Sequence, residues 1–186
     1  MYQASNHARF FPFEEMATCK EGSRSCIGGA CREDTSKIVC GAEQLHPGCV
    51  IYSIGGNNRW QFELDLLEKT PCEVHTFDCT GPASRFRKPG NDRLHFHHVC
   101  LNDKHVDAPP AADCEGRKSM CGEMWTLLEM QQRIGHKRID MLKLDIEGYE
   151  WPLFHSWPEI VTDKDRSASM LLPMQIMVEV SCRRLS

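Results

Sequence analysis

The sequence predicts an α/β domain built on a doubly wound, mostly parallel sheet. Three observations carry that prediction. Short apolar, β-branched runs alternate with segments of helical periodicity. The first run, CVIYSI at 49–54, passes directly into Gly55-Gly56 and then into a helical stripe. A later run, IDMLKLDIEGYE at Ile139–Glu150, ends on two acids and a glycine before a further helical segment. Strands joined through helices return to the same end of a sheet by right-handed crossovers, and so lie parallel.

Taken in order, residues 1–47 read as an irregular, cysteine-rich cap, followed by a ligand-binding domain over 48–186. Within the cap a short helix is expected over Glu14–Lys20. The stretch SCIGGACREDTSK, rich in Gly, Ser and charge, is expected as loop, and His46-Pro47-Gly48 as a turn. Cys49–Ile54 is the first strand. Arg59–Lys69 is helical by its stripe of Trp60, Leu64 and Leu67, flanked by Phe62 and Leu66, with Asn57 or Asn58 as N-cap and Thr70-Pro71 as the stop. EVHTFD at 73–78 alternates as a second strand, and RLHFHHVCL at 93–101 as a third. Residues 102–123, with Pro109 and Pro110, read as a long polar loop. Thr126 and Glu129 have capping-box spacing, Leu127, Met130 and Ile134 share a helical face, and Gly135 stands at C′. The Ile139 run is the fourth strand, a helix follows around Trp151–Trp157, and MQIMVEVS at 174–181 is the fifth.

A chain of 186 residues, 41% hydrophobic and 26% charged, suits one domain with a real core. A formal net charge of −4 leaves no electrostatic footprint for nucleic acid or an anionic membrane. No apolar run approaches the roughly 18 residues of a membrane-spanning helix. The N-terminus has no secretory apolar region, since Phe10, Phe11 and Phe13 are interrupted by Pro12 and followed by acids. The chain is thus expected in the cytosol, or in the secretory pathway if a signal or anchor precedes Met1. Eleven cysteines leave two readings open. One is structural disulfides in the first 50 residues, in an oxidising compartment. The other is reduced thiols, with Cys49, Cys72 and Cys100 as small core residues.

Chemistry concentrates at three places. Gly55-Gly56 lets backbone approach a ligand and aims helix N–H groups at it, although the G-x-G-x-x-G dinucleotide fingerprint is absent. Asp78 ends the second strand about 20 residues on, the distance at which an acid reaches a ribose in nucleotide-binding folds. Asp145 and Glu147, read as strand continuation, share one face about 6–7 Å apart, where a carboxylate serves as base or binds a cation. No metal site is expected: alternation splits His97 from His98, and a cation held by Glu179 with Asp145 is the weaker reading.

The blocks CVIYSIGGNNRWQFE, CEVHTFDCT and RIGHKRIDMLKLDIEGYEW together resemble FkbM-type S-adenosylmethionine-dependent methyltransferases, in particular their eukaryotic methyltransferase-like branch. The likeness runs over about Lys37–Val180. It implies a class I, Rossmann-like methyltransferase fold that stops after the fifth strand, with S-adenosylmethionine across the carboxyl ends of strands one, two and four. Ser53, Gly55 and Asn57 would lie along its methionine part and Asp78 on its ribose. Asn102 or Asp103 would flank the adenine, and Asp145 and Glu147 would face the sulfonium and the acceptor. Ser53 replaces the usual first-motif acid, and Glu63, one turn into the helix, is expected to compensate. The expected activity is O-methylation of a small-molecule or glycan-like acceptor. The alternative is a non-catalytic methyltransferase-like binding domain, favoured by the short sheet and the lost acid. An NAD-type oxidoreductase is disfavoured by the absent glycine fingerprint.

Overall fold

The computed structural model describes residues 19–31, 33, 35–114, 120–155 and 173–179. Ahead of the first expected strand lies an antiparallel hairpin of β1 (Arg24–Ile27) and β2 (Lys37–Cys40), in register Cys26↔Ile38. Part of the stretch expected as loop is therefore strand. Four-residue strands with one fully buried side chain each, Ile27 and Val39, are too short to show alternation in sequence. Cys19 and Lys20 are not helical, and the rest of the helix expected over Glu14–Lys20 lies outside the described residues.

β3 (Val50–Ile54) leads into α1 (Gln61–Lys69), and β4 (Glu73–Phe77) pairs parallel to β3. The N-cap expectation is corrected: Trp60 occupies the cap position without a side-chain capping bond, while Asn57 and Asn58 lie upstream in the left-handed region (φ 48° and 62°). Asparagine tolerates that conformation better than other side chains, and here it is used to turn the chain. Asn58 Oδ1 accepts from Trp60 Nε1 (3.2 Å) and from Arg87 N (2.7 Å).

The third strand expected at 93–101 is two elements. β5 (Leu94–His97) pairs with β4, whereas β6 (Val99–Leu101) leaves the sheet to pair parallel with β7 (Glu123–Trp125). Part of the expected 102–123 loop and the residues just after it thus hold a strand. Gly122 permits this pairing, because a Cβ there would lie 2.3 Å from the His98 carbonyl oxygen.

α2 (Leu127–Ile134) begins and ends as the sequence predicts. Thr126 Oγ1 accepts from Glu129 N at 3.2 Å, Glu129 Oε2 accepts from Thr126 N at 2.8 Å, and Gly135 is left-handed at φ 90°. β8 (Met141–Leu144) follows, buried throughout, then a helical segment at 150–155 and β9 (Gln175–Val178). The main sheet is parallel in the order β5-β4-β3-β8-β9.

Each face of this sheet carries a core. On one, Ile51, Val74, Leu94 and Met141 meet Phe62 and Leu66 of α1 with Ile27 and Val39 of the hairpin. The Gln175 side chain locks hairpin to β9, accepting from Cys40 N (2.9 Å) and donating to Cys40 O (3.1 Å). On the other face, Tyr52, Phe77, Leu142 and Leu144 meet Leu127 and Met130 of α2 and Leu153. His75 and His97 also pack there; burial, with neighbouring histidines, pushes His75 down to about 3 and His97 to about 4, so both stand as neutral rings.

The reduced-thiol reading is corrected. Cys49 pairs with Cys72, joining the starts of β3 and β4, and Cys79 pairs with Cys100 between the end of β4 and β6. Cys19–Cys40, Cys26–Cys31 and Cys114–Cys121 are also disulfides. Among the described residues no helix is long and apolar enough to cross a membrane.

Candidate functional site

Strand order reverses between β3 and β8, and in open α/β sheets the crevice at such a point takes the ligand. A cavity of about 680 Å³ opens there. Its wall includes Gly55, Gly56, Asn57, Glu63, Asp78, Lys143, Asp145 and Glu147. The structure therefore brings together most of the residues that the sequence singled out.

Gly55 is required by geometry. It is left-handed (φ 73°), and a Cβ would fall 1.9 Å from the Asp145 carbonyl oxygen. The glycine turn thus touches the carboxyl end of β8. Gly56 differs: a Cβ there would meet nothing nearer than 3.5 Å, and its absence widens the cavity beside Glu63.

Asp78 braces this turn. Oδ2 accepts from Asn57 N (2.7 Å) and Gly56 N (3.2 Å), and Oδ1 from Thr80 N (2.8 Å). A carboxylate has about four acceptor positions, so one remains for another donor.

Ser53 lies behind the wall, fully buried, and donates to Glu63 Oε1 at 2.6 Å. Glu63 is 1% exposed, and its Oε2 has no hydrogen-bond partner. Burial raises its carboxyl above the ordinary range, opposed chiefly by the nearby Lys143 cation and then by the Ser53 hydroxyl. Lys143, 4% exposed in the middle of an apolar strand, donates to the Gly55 carbonyl and stands 3.5 Å from Asp145 Oδ2. The pairing of Asp145 with Lys143, one of the simple structural roles open to that acid, is present. Lys143 itself links the glycine turn, Glu63 and Asp145. Its only sequence signal is a charge placed where alternation demands a core residue.

The expected continuation of the strand through Glu147 is corrected. β8 ends at Leu144, and Glu147 sits in a turn at φ 56°, so strand alternation no longer sets its direction. Asp145 and Glu147 both reach the cavity wall. Glu150, passed over in the sequence, is fully buried and holds this turn, accepting from Ile146 N (2.9 Å) and Gly148 N (2.8 Å). Asn102 and Asp103 lie outside the wall; Leu101, Met120 and Met124 line that end instead. Asn102 donates through its side chain to Lys104 O (3.1 Å). Glu179 pairs with Lys37 at 2.6 Å, tying β9 to the hairpin.

A family model described as a methyltransferase domain matches residues 3–181. The probable methyltransferase-like protein 24 of Homo sapiens and that of Rattus norvegicus are each 28% identical over 109 residues, which is 58% of this chain and 28% of the relative. The chain thus spans less than a third of the curated relatives it matches. No solved structure matches it. The parallel sheet, its switch-point cavity and a family match over nearly the whole chain agree: the fold is the Rossmann-like class I methyltransferase fold, and the chain belongs to the methyltransferase-domain family.

Proposed function

We propose that this domain is an S-adenosylmethionine-dependent methyltransferase of the FkbM type, acting on oxygen of a small-molecule or glycan-like acceptor. The observation that carries the reading is the orphaned Oε2 of Glu63 in the cavity wall. An acceptor atom buried without a donor costs about 1–3 kcal/mol. The ammonium of the cofactor's methionine part supplies that donor, so Glu63 takes the place of the acid that Ser53 lacks. Ser53 holds Glu63 in position.

The remaining residues fit the same ligand. The space left by Gly56 and the turn at Gly55 and Asn57 accept the methionine part. Asp78 offers its remaining lone pair to one ribose hydroxyl. The apolar Leu101, Met120 and Met124 give a packing surface for the adenine, beside the loop that carries Asn102 and Asp103. Bound there, S-adenosylmethionine supplies an electrophilic methyl group. In this reading Asp145, in the cavity wall, holds an acceptor hydroxyl and takes its proton, and Glu147, exposed at the cavity's lip, contacts the acceptor.

Calorimetry and thermal denaturation test this. S-adenosylmethionine and S-adenosylhomocysteine are expected to raise the melting temperature and NAD to leave it unchanged, since a ligand bound only by the native state stabilises it. Glu63→Gln is expected to weaken cofactor binding about tenfold or more, the difference between a charged and a neutral acceptor. Absence of a shift with both sulfur compounds, or an unchanged affinity in Glu63→Gln, would overturn the proposal.

The five disulfides support folding in an oxidising compartment rather than the cytosol. Alkylation of the denatured, unreduced protein is expected to label Cys182 alone. Labelling of the other ten cysteines would sink that inference.

A further inference from the structure

A second cluster of chemistry-bearing side chains lies away from the cavity, at the amino-terminal part of the sheet and on its α2 side. Glu73 and His75 are two apart on β4 and share a face. His95 on β5 is the direct cross-strand partner of His75. Register therefore places three potential ligands side by side. Glu73 Oε2 stands 3.7 Å from His75 Nε2 and 3.7 Å from His95 Nε2, and the three ligand atoms lie within 4.8 Å of one another.

None of these contacts is a hydrogen bond, since 3.7 Å exceeds the usual limit of about 3.2 Å. Both Nε2 atoms are sealed from solvent without a partner, although the His95 side chain is 39% exposed and that of Glu73 51%. Two buried orphans on neighbouring rings, both beside one carboxylate, are positioned for a group that accepts lone pairs from all three. The other nitrogen of His75 is already engaged: Nδ1 is 3.0 Å from His97 Nε2. If Nδ1–H donates there, the Nε2 lone pair is directed at the cluster, the outer bond that metal-ligating histidines usually make.

We propose that Glu73, His75 and His95 form a binding site for a divalent first-row transition metal of the zinc type. Two imidazoles and a carboxylate suit zinc, and calcium and magnesium prefer all-oxygen sets. Tetrahedral bonds of about 2.0–2.2 Å put donor atoms about 3.3 Å apart, so the two Glu73 separations need to close by a few tenths of an ångström. The His75 and His95 rings, stacked with centroids 4.5 Å apart, have to turn so that both Nε2 lone pairs meet at one ion. Three protein ligands leave a fourth position for water. The ion clamps the edge strand β5 to β4. None of the three residues lines the cavity, so this site stands independently of the methyl-transfer reading.

Zinc chloride added to the chelator-stripped, disulfide-intact full chain is the test, read by calorimetry and thermal denaturation. One equivalent is expected to bind and raise the melting temperature, while calcium and magnesium produce no shift. Glu73→Gln and His95→Ala, both partly exposed positions, are expected to leave the apo melting temperature nearly unchanged and to lower zinc affinity at least tenfold. Failure of the wild-type chain to take up zinc would overturn the proposal. So would uptake that survives in both variants, or an equal shift with calcium.

Discussion

Gly55→Ala is expected to cost about 2–5 kcal/mol, combining roughly 1–2 kcal/mol for a side chain in the left-handed region with roughly 1–3 kcal/mol for overpacking. The new Cβ would fall 1.9 Å from the Asp145 carbonyl oxygen, a backbone atom that cannot swing aside. β3 and β8 are held in register up to Ile54↔Leu144, and Asp145 N still donates to Ile54 O at 3.1 Å. Relief therefore requires the ends of two central strands to part. Urea denaturation should show a lower midpoint with an unchanged slope, the sign of a stability change without a change in the surface exposed. A loss below about 1 kcal/mol would show that the turn relaxes without disturbing the strands. Because the same contact positions Asp145, the substitution should also weaken ligand binding in whatever fraction stays folded.

Lys143→Met should be of similar size, by a different cause. Removing one partner of a buried charged group typically costs about 3–5 kcal/mol, because the other is left uncompensated. Lys143 is the largest influence holding the Glu63 carboxyl down against its desolvation, and Asp145 pushes the other way. The sign with pH follows. Glu63 has a folded pKa above its ordinary 4.5, so the native state binds the proton more tightly than the unfolded chain. Stability from this group is greatest in acid and falls as pH rises from 4.5 through the raised folded value. Without Lys143 the rise is larger, so the loss is larger and continues to higher pH. Chemical denaturation at pH 4.5 and pH 8 should therefore give a small difference between variant and wild type in acid and a large one in base. Equal differences at both pH values would remove Glu63 from the account and leave only the bond to the Gly55 carbonyl.

The sequence was legible wherever the signal is local. The capping box at Thr126 and Glu129, the C′ glycine at Gly135, the glycine turn after β3 and the apolar fourth strand each rest on neighbouring residues, and each stands where its chemistry places it. The boundaries that shifted depend on partners remote in the chain. His98 divides one apparent strand because β6 finds β7, more than twenty residues on, and β7 was hidden in a polar stretch. Asn57 and Asn58 were candidates for a cap because their side chains accept hydrogen bonds. Their tolerance of positive φ, which turns the chain instead, is equally a property of asparagine.

By itself the sequence determined the parallel α/β layering, the glycine turn and the set of acids gathered at the carboxyl ends of the strands. Periodicity and turn chemistry act over a few residues, and parallel topology follows from the alternation of strands and helices. Only the tertiary structure decided which groups meet. Strand register set His75 beside His95, and chain crossings paired Cys49 with Cys72 and Cys79 with Cys100. Burial left Glu63 with an unpartnered oxygen and Lys143 as the cation between two acids. These are properties of distance and solvent exclusion, which arise when residues far apart in the chain are packed together.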